Sequence, residues 1–232
     1  DVAPSRGLGD VYKRQPLQHI TGTQEFMGFD FFVNENVLVP RQDTECLVEN
    51  VLPFAHGKKI LDMCTGSGCI IISLKKLEET AECTGADISK KALEVAQKNA
   101  ASNEAEVYFK ESDMFEKING KYDIIVSNPP YIRPDVIKTL EPEVREHDPM
   151  LALDGGEDGL MFYRILAKEG KKHLAGPGMM FMEIGHDQGR AVKEIFENEG
   201  FKEVVVKKDL CENDRVVMAC LLYTSPSPRD GA

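Results

Sequence analysis

The chain has 232 residues, 42% of them apolar, and a formal net charge of −11, which fits one globular domain with room for a small appendage. That acidic balance argues against an extensive nucleic-acid surface, which needs Lys and Arg gathered along one face, though not against a local basic groove. No apolar run approaches the roughly 18 residues of a membrane helix and no signal segment opens the chain; the six cysteines form no CxxC pair and no zinc-spaced Cys/His cluster, so free thiols in a reducing cytoplasm and no metal are expected.

Residues 1–15 carry Gly, Arg and Asp without an apolar period, and 222–232 read Leu-Tyr-Thr-Ser-Pro-Ser-Pro-Arg-Asp-Gly-Ala. Both ends resemble translated adapter sequence and are expected to be a non-native leader and a non-native tail, set aside from fold reasoning. The segment 16–55 reads as a linker, a β-hairpin and a short helix. Its apolar runs Glu25–Val33 and Val37–Val39 flank Asn34-Glu-Asn36, a hairpin signal, and a short helix over Asp43–Phe54 should follow Pro40-Arg41.

From 56 to 221 strands and helices alternate. Lys59–Cys64 is an apolar strand and Gly66–Lys76 opens a helix; Cys83–Asp87 is the next strand, and Ser89 caps a helix with Leu93, Ala96 and Ala100 on one face. Val107–Lys110 and Tyr122–Ser127 are further strands. The long Pro- and Gly-bearing stretch 132–158 should be a functional cover or carry short helices of its own. A helix near 159–174, a strand Met179–Ile184 and a helix 188–199 closed by Gly200 follow. Strands 203–208 and 215–221 have only Asp209–Asp214 between them, which suits an antiparallel hairpin at one edge of a mostly parallel sheet.

The loop Asp62-Met-Cys-Thr-Gly-Ser-Gly68 opens a helix directly after a strand. Gly66 and Gly68 allow a tight turn and close backbone approach, and the helix start supplies free N–H groups. Asp87 ends the next strand, 21 positions after Gly66, where a carboxylate can accept both hydrogens of a ribose diol. An adenosine-bearing ligand is the reading. NAD competes, but position 71 is Ile where the third glycine of its fingerprint would fall. Asp113, at the third strand's end, can accept from an adenine amine or serve as a turn cap. Asn128-Pro129-Pro130-Tyr131, after the apolar strand Tyr122–Ser127, places an amide, a proline carbonyl and an aromatic ring around one pocket suited to a planar amide or amidine nitrogen. A Pro-rich turn closed by a structural Tyr is the bland alternative.

Asp62 through Gly68, Asp87 and Asn128-Pro-Pro-Tyr131 resemble the class I S-adenosylmethionine-dependent methyltransferases that act on amino nitrogens. With Pro16–Gly22, Val39-Pro-Arg-Gln-Asp-Thr-Glu45, Ala152-Leu-Asp-Gly-Gly156, Glu183-Ile-Gly185 and Asp214-Arg-Val-Val217, the chain is similar to the bacterial release factor glutamine methyltransferases (the PrmC/HemK family). The resemblance implies a Rossmann-like α/β fold with a mostly parallel seven-stranded sheet, an antiparallel edge hairpin and a preceding small β-hairpin, 56–221 being the catalytic domain. It implies N5-methylation of the glutamine in the Gly-Gly-Gln motif of peptide chain release factors, with S-adenosyl-L-methionine as cofactor, by a cytoplasmic monomer. Asn128, Pro129 and Tyr131 would be catalytic, and with Pro130 would bind the substrate; Cys64, Thr65, Gly66, Ser67, Gly68, Asp87, Asp113, Met114 and Asn128 would hold the cofactor.

Family members more often carry Gly at Cys64, a bulkier aromatic at Met114 and Glu at Asp43. Phe26 and Arg41 are weaker candidates for substrate packing and cofactor-site support, set against a core Phe and a surface ion pair. Glu183 and Gln188 fit the family pattern without an evident mechanism beyond strand-end capping. The family also has an N-terminal helical domain ahead of the Pro16 segment; this sequence lacks it, so cofactor binding with poor methylation is an expectation. The competing enzyme reading is a nucleic-acid amino methyltransferase acting on adenine N6 or guanine N2, where Tyr131 would stack a flipped base; a non-catalytic binding module is the third.

Overall fold

The computed structural model describes residues 17–221, so the expected leader at 1–15 and tail at 222–232 lie outside the described residues. A one-turn helix α1 (Leu17–Thr21) leads into a hairpin of β1 (Thr23–Phe26) and β2 (Phe29–Phe32), and α2 (Gln42–Val51) follows, ending in a 3-10 turn over Leu52–Phe54. The alternating region begins with β3 (Lys59–Met63), α3 (Cys69–Leu77), β4 (Glu82–Asp87), α4 (Lys90–Ser102), β5 (Val107–Glu111) and β6 (Tyr122–Ser127). Three one-turn helices, α5 (Pro134–Ile137), α6 (Pro142–Arg145) and α7 (Met150–Leu153), occupy the long connection, the second of the two expectations for it. Then come α8 (Met161–Ile165), continued by a π turn over Leu166–Gly170 and a 3-10 turn over Lys171–His173, β7 (Leu174–Glu183), α9 (Gly189–Asn198), β8 (Lys202–Lys208) and β9 (Asp214–Leu221).

Seven strands form one sheet in the order β5-β4-β3-β6-β7-β9-β8. The five strands from β5 to β7 run parallel, and β9 pairs antiparallel with both β7 and β8. Central strands carry apolar residues toward both faces because helices cover both. Neighbouring residues nonetheless go to different cores: Leu61, Ile125, Met182 and Val217 pack on one side, and Ile60, Ile124, Phe181 and Val216 on the other, the two-residue alternation of a pleated strand. Leu47, Val48 and Val51 of α2 belong to the second core, with Ile70 and Ile71 of α3.

Two local expectations are corrected. The hairpin turns at Met27-Gly28 rather than at Asn34–Asn36, with Thr23 opposite Phe32 and Phe26 opposite Phe29. Met27 and Gly28 both have positive φ, 53° and 78°, the two-residue turn whose twist matches its strands, and Glu45 of α2 accepts the Met27 N–H at 2.6 Å. Asn34 instead makes a side-chain turn, accepting the Asn36 N–H at 3.0 Å. The second correction is β7, which starts at Leu174, not Met179: Leu174 pairs with Tyr122 and the register shifts before Met179 meets Ile124. Gly176-Pro177-Gly178 sits in that irregularity, so the early half of the strand carries a turn's sequence.

Candidate active site

The sheet order reverses between β3 and β6. Their connections leave in opposite directions and open a crevice at the strands' carboxyl ends, the usual ligand position in such sheets. Met63 pairs with Ser127 across that seam, and the Ser127 hydroxyl donates to the Met63 carbonyl at 2.6 Å. The glycine loop after β3 and the Asn-Pro-Pro-Tyr after β6 are therefore side by side, although more than sixty residues separate them.

The glycine loop is pinned from three directions. Asp62 is fully buried and accepts from the Thr65 hydroxyl at 2.5 Å; the Thr65 N–H reaches the Ala86 carbonyl at 3.0 Å; and Asn99 of α4 donates to Ser67 O at 2.9 Å. Asn99 also exchanges both its amide groups with the Phe32 backbone, so one buried carboxamide joins hairpin, loop and helix. Gly68 caps α3 at φ 80°, and a Cβ there would lie 2.9 Å from Ile72 Cδ1 and 3.1 Å from Ala96 Cβ. Gly66 also has positive φ, but a Cβ on it would meet no atom within 4 Å; that side is open.

Asp87 closes the opposite wall. Its carboxylate accepts from Gly66 N at 2.9 Å and from Ser89 N at 2.8 Å, leaving each oxygen a further acceptor position. Burial pushes its pKa up, and the Ser89, Gly66 and Ile88 N–H groups oppose that. Asp62 is pushed further, to about 8, by burial first, with Thr65 lowering it and the Asp87 charge raising it. Two acidic groups thus flank the loop, and among the described residues no cation beside them favours ionisation.

A cavity of about 460 Å³ lies against these groups. Cys64, Thr65, Gly66, Ser67, Asp87, Asp113, Met114, Asn128 and Pro130 of the predicted site line it, and so do Arg41 and Thr44 from the entry to α2. Gly68, Pro129 and Tyr131 are not on its wall. Gly68 lies under the loop against α4, and Pro129 is buried. Tyr131 packs on the first core, among the charges of Glu183, Arg215, Arg41 and Asp43; its phenol, pushed to about 12 chiefly by burial, stays protonated at neutral pH. Phe26 is a core residue in edge contact with Phe31, and Arg41 pairs with Asp148 at 3.0 Å while its side chain borders the cavity.

Two of the three departures from the family pattern touch each other. Cys64 and Met114 both adopt positive φ, 62° and 41°, and their sulfurs are 3.9 Å apart on the cavity wall. Burial, with Asp87 and Asp62 nearby, pushes the Cys64 thiol well up, so it is present as the weakly nucleophilic thiol rather than the thiolate.

The Methyltransferase small domain model matches residues 41–144. The release factor glutamine methyltransferase of Agrobacterium fabrum is 46% identical over 212 residues, covering 88% of this chain and 73% of that protein. That of Clostridium acetobutylicum is 44% identical over 215 residues, covering 89% and 75%. The chain belongs to the release factor glutamine methyltransferases. Among solved structures, the release factor-specific protein-(glutamine-N5) methyltransferase of Alicyclobacillus acidocaldarius superposes with a TM-score of 0.50 at 30% identity, over 83% of this chain and 100% of that one.

In this release factor glutamine methyltransferase, residues that sequence patterns left without a role surround the Asn-Pro-Pro-Tyr. The Asn128 side-chain nitrogen donates to the Thr44 hydroxyl at 3.3 Å. At the end of β7 the Glu183 carboxyl is pushed up to about 7 by burial, with Thr44 and Arg215 opposing. Gln188, just before α9, donates to the carbonyls of Tyr131 and Gly159, each at 3.1 Å, and accepts from Gly185 N at 3.0 Å. Gly155 and Gly159 have no side chain because Tyr131 leaves none room: a Cβ would come within 2.6 Å and 2.5 Å of its backbone. These contacts are long-range; the family pattern marks the segments that hold Thr44, Gly155 and Glu183, and Gln188 as well, but assigns none of them a contact.

Proposed function

We propose that this chain transfers a methyl group from S-adenosyl-L-methionine to the side-chain amide nitrogen, N5, of the glutamine in the Gly-Gly-Gln motif of peptide chain release factors. The observation that carries the reading is Asn128: it lines the cavity and its side-chain nitrogen is engaged by Thr44, which leaves its oxygen available to accept from an incoming donor.

The residues suit the cofactor. Asp87 offers acceptor positions to a vicinal diol, Asp113 an acceptor to an adenine amine, and the open side of Gly66 room for close approach. Thr65 and Ser67, with Cys64, Gly68 and Met114, shape the remaining wall or support it. When bound, S-adenosylmethionine supplies an electrophilic methyl group on a sulfonium centre.

An amide nitrogen is a poor nucleophile because its lone pair is delocalised into the carbonyl. Asn128 Oδ1 and the Pro129 carbonyl would accept its two N–H bonds, which would fix its direction and favour positive charge on it as the new N–CH3 bond replaces the sulfonium's S–CH3 bond; the sulfur would leave as a neutral thioether and one N–H proton would pass to solvent. Orientation of this kind supplies up to about 7–11 kcal/mol of barrier reduction, and preformed acceptors add to it. Pro130 forms part of that wall, and Tyr131 supports it from the core side. Among the described residues no histidine lines the cavity, so no general base is assigned. The enzyme is further proposed to act as a cytoplasmic monomer without an extensive nucleic-acid surface, the net charge of −11 supporting the last point.

The deciding experiment offers labelled S-adenosylmethionine and the purified chain to release factor, tRNA, rRNA and DNA in parallel. Label in release factor, lost when the Gly-Gly-Gln glutamine is replaced, is expected. Label in nucleic acid with none in release factor overturns the reading.

A further inference from the structure

A second cavity, of about 420 Å³, adjoins the first. Val39, Pro40 and Arg41 line both, so one short ridge of chain separates them. The ridge leads straight to the reacting pocket: the Thr44 N–H reaches the Arg41 carbonyl at 3.0 Å, and the Thr44 hydroxyl accepts from Asn128. The long cover contributes Val144 and Asp148 to the second cavity. Opposite chain segments contribute three glutamines, Gln18 from α1, Gln24 from β1 and Gln42 from the start of α2. Among the described residues the Gln18 and Gln42 side chains hydrogen-bond no other group. Gln24 uses its nitrogen on Glu25 O at 2.7 Å, which leaves its oxygen to accept.

A carboxamide carries N–H donors and a carbonyl acceptor together. That is the complement of a peptide main chain, in which each non-proline residue brings one donor and one acceptor. A phosphodiester strand asks for cations instead. Among the described residues lining this cleft the one cation is Arg41, and it is already matched by the buried Asp148 carboxylate at 3.0 Å. Resting on the function proposed above, we propose that this cleft binds the main chain of the acceptor polypeptide beside the reacting glutamine. Gln18 and Gln42 are its specificity-determining residues, and the acceptor side chain crosses the Val39–Arg41 ridge to Asn128. Glycines next to that glutamine suit the placement, since a residue without a Cβ lets its main chain come close to the wall.

The test has a kinetic arm and a binding arm. Wild type, Gln18→Ala and Gln42→Ala are compared for kcat, acceptor KM, cofactor Kd and Tm. With release factor as acceptor, each variant should raise KM about 10-fold, the scale of one lost hydrogen bond at the upper end of its usual worth. Saturated kcat and cofactor Kd should change little; Gln42 is exposed, so its truncation should also spare Tm. The binding arm needs no turnover and uses a short synthetic peptide containing Gly-Gly-Gln, with a second copy N-methylated at both glycines. The unmodified peptide should shift the side-chain N–H resonances of Gln18 and Gln42, assigned by their absence in the two variants. The N-methylated copy, which lacks those main-chain donors, should bind about 10-fold more weakly. Wild-type KM in both variants, unmoved glutamine resonances, or equal binding of the two peptides overturns the cleft. These results are separable from failure of the acceptor assignment. Label in nucleic acid alone, with the peptide still shifting Gln18 and Gln42, sinks only the assignment; label in release factor with wild-type KM in both variants sinks only the cleft.

Discussion

The Gln188 side chain donates to the Tyr131 carbonyl at 3.1 Å, across 57 residues of chain. Its second donor contact, to Gly159 O, brings the turn after α7 onto the same residue. The Asn-Pro-Pro-Tyr is thus held in place by a residue outside the cavity.

Replacing Gln188 with Ala should leave the carbonyls of Tyr131 and Gly159 and the Gly185 N–H without their partner. Buried groups so orphaned cost about 1–3 kcal/mol, and that loss should appear in urea denaturation at unchanged m-value. Gln188→Glu should not rescue it, because a carboxylate keeps the acceptor for Gly185 and loses both donors.

The two loop glycines should respond differently to Ala. Both sites carry the left-handed penalty of about 1–2 kcal/mol. At Gly68 the added Cβ also meets Ile72 and Ala96 at 2.9 and 3.1 Å, so Gly68→Ala should lower Tm further than Gly66→Ala. At Gly66 the Cβ enters open space on the protein side, and the expected effect is a weaker cofactor Kd with the smaller loss of Tm. Equal Tm losses would contradict this account.

Asp62 makes stability pH-dependent in the direction opposite to an ion-paired carboxylate. Its pKa is raised from the ordinary 3.8 to about 8, so the unfolded chain gives up this proton before the folded one does. The stabilising contribution is complete below about pH 4 and is lost progressively as pH rises toward about 8. Asp62→Asn should flatten that part of the stability profile. Binding of a sulfonium- and ammonium-bearing cofactor should lower the pKa and release protons, detected as a buffer-dependent enthalpy in calorimetry at pH 7.

Asn128→Ala should abolish methyl transfer while leaving cofactor affinity within a few-fold of wild type, since Asp87 and the glycine loop are untouched. Removing one preorganised group of this kind costs about 100- to 1,000-fold in kcat. Collapse of cofactor binding in calorimetry would instead make Asn128 a structural or cofactor residue.

The strands under the site were legible in the sequence because parallel central strands are apolar runs: Tyr122–Ser127 matches its expected bounds, and Lys59–Met63 and Glu82–Asp87 differ by a residue at one end. The site was legible for a related reason. Glycine loop, Asp87 and Asn128 each follow directly from a strand end, and parallel strands bring all such ends to one edge. What could not be read depends on packing between distant segments. Met27 is no turn former, and its positive φ is held by Glu45; the Thr44 hydroxyl gains its meaning from Asn128, 84 residues away; and Asn99 looks like any polar helix residue until Phe32 and Ser67 are placed against it.

The bridge between Ile132 and Asp154, reinforced by Ile132 N to Leu153 O and Gly155 N to Ile132 O, both 2.9 Å, ties residues 133–153 into a loop closed at its base. Pro149, Leu151 and Ala152 of that loop face the cavity, whereas Asn128 lies outside the knot. Doubling the length of a closed loop costs only about 0.6 kcal/mol of chain entropy. Evolution, or a protein engineer, can therefore lengthen or exchange this stretch to suit a different polypeptide partner while the reacting pocket beneath it stays as it is.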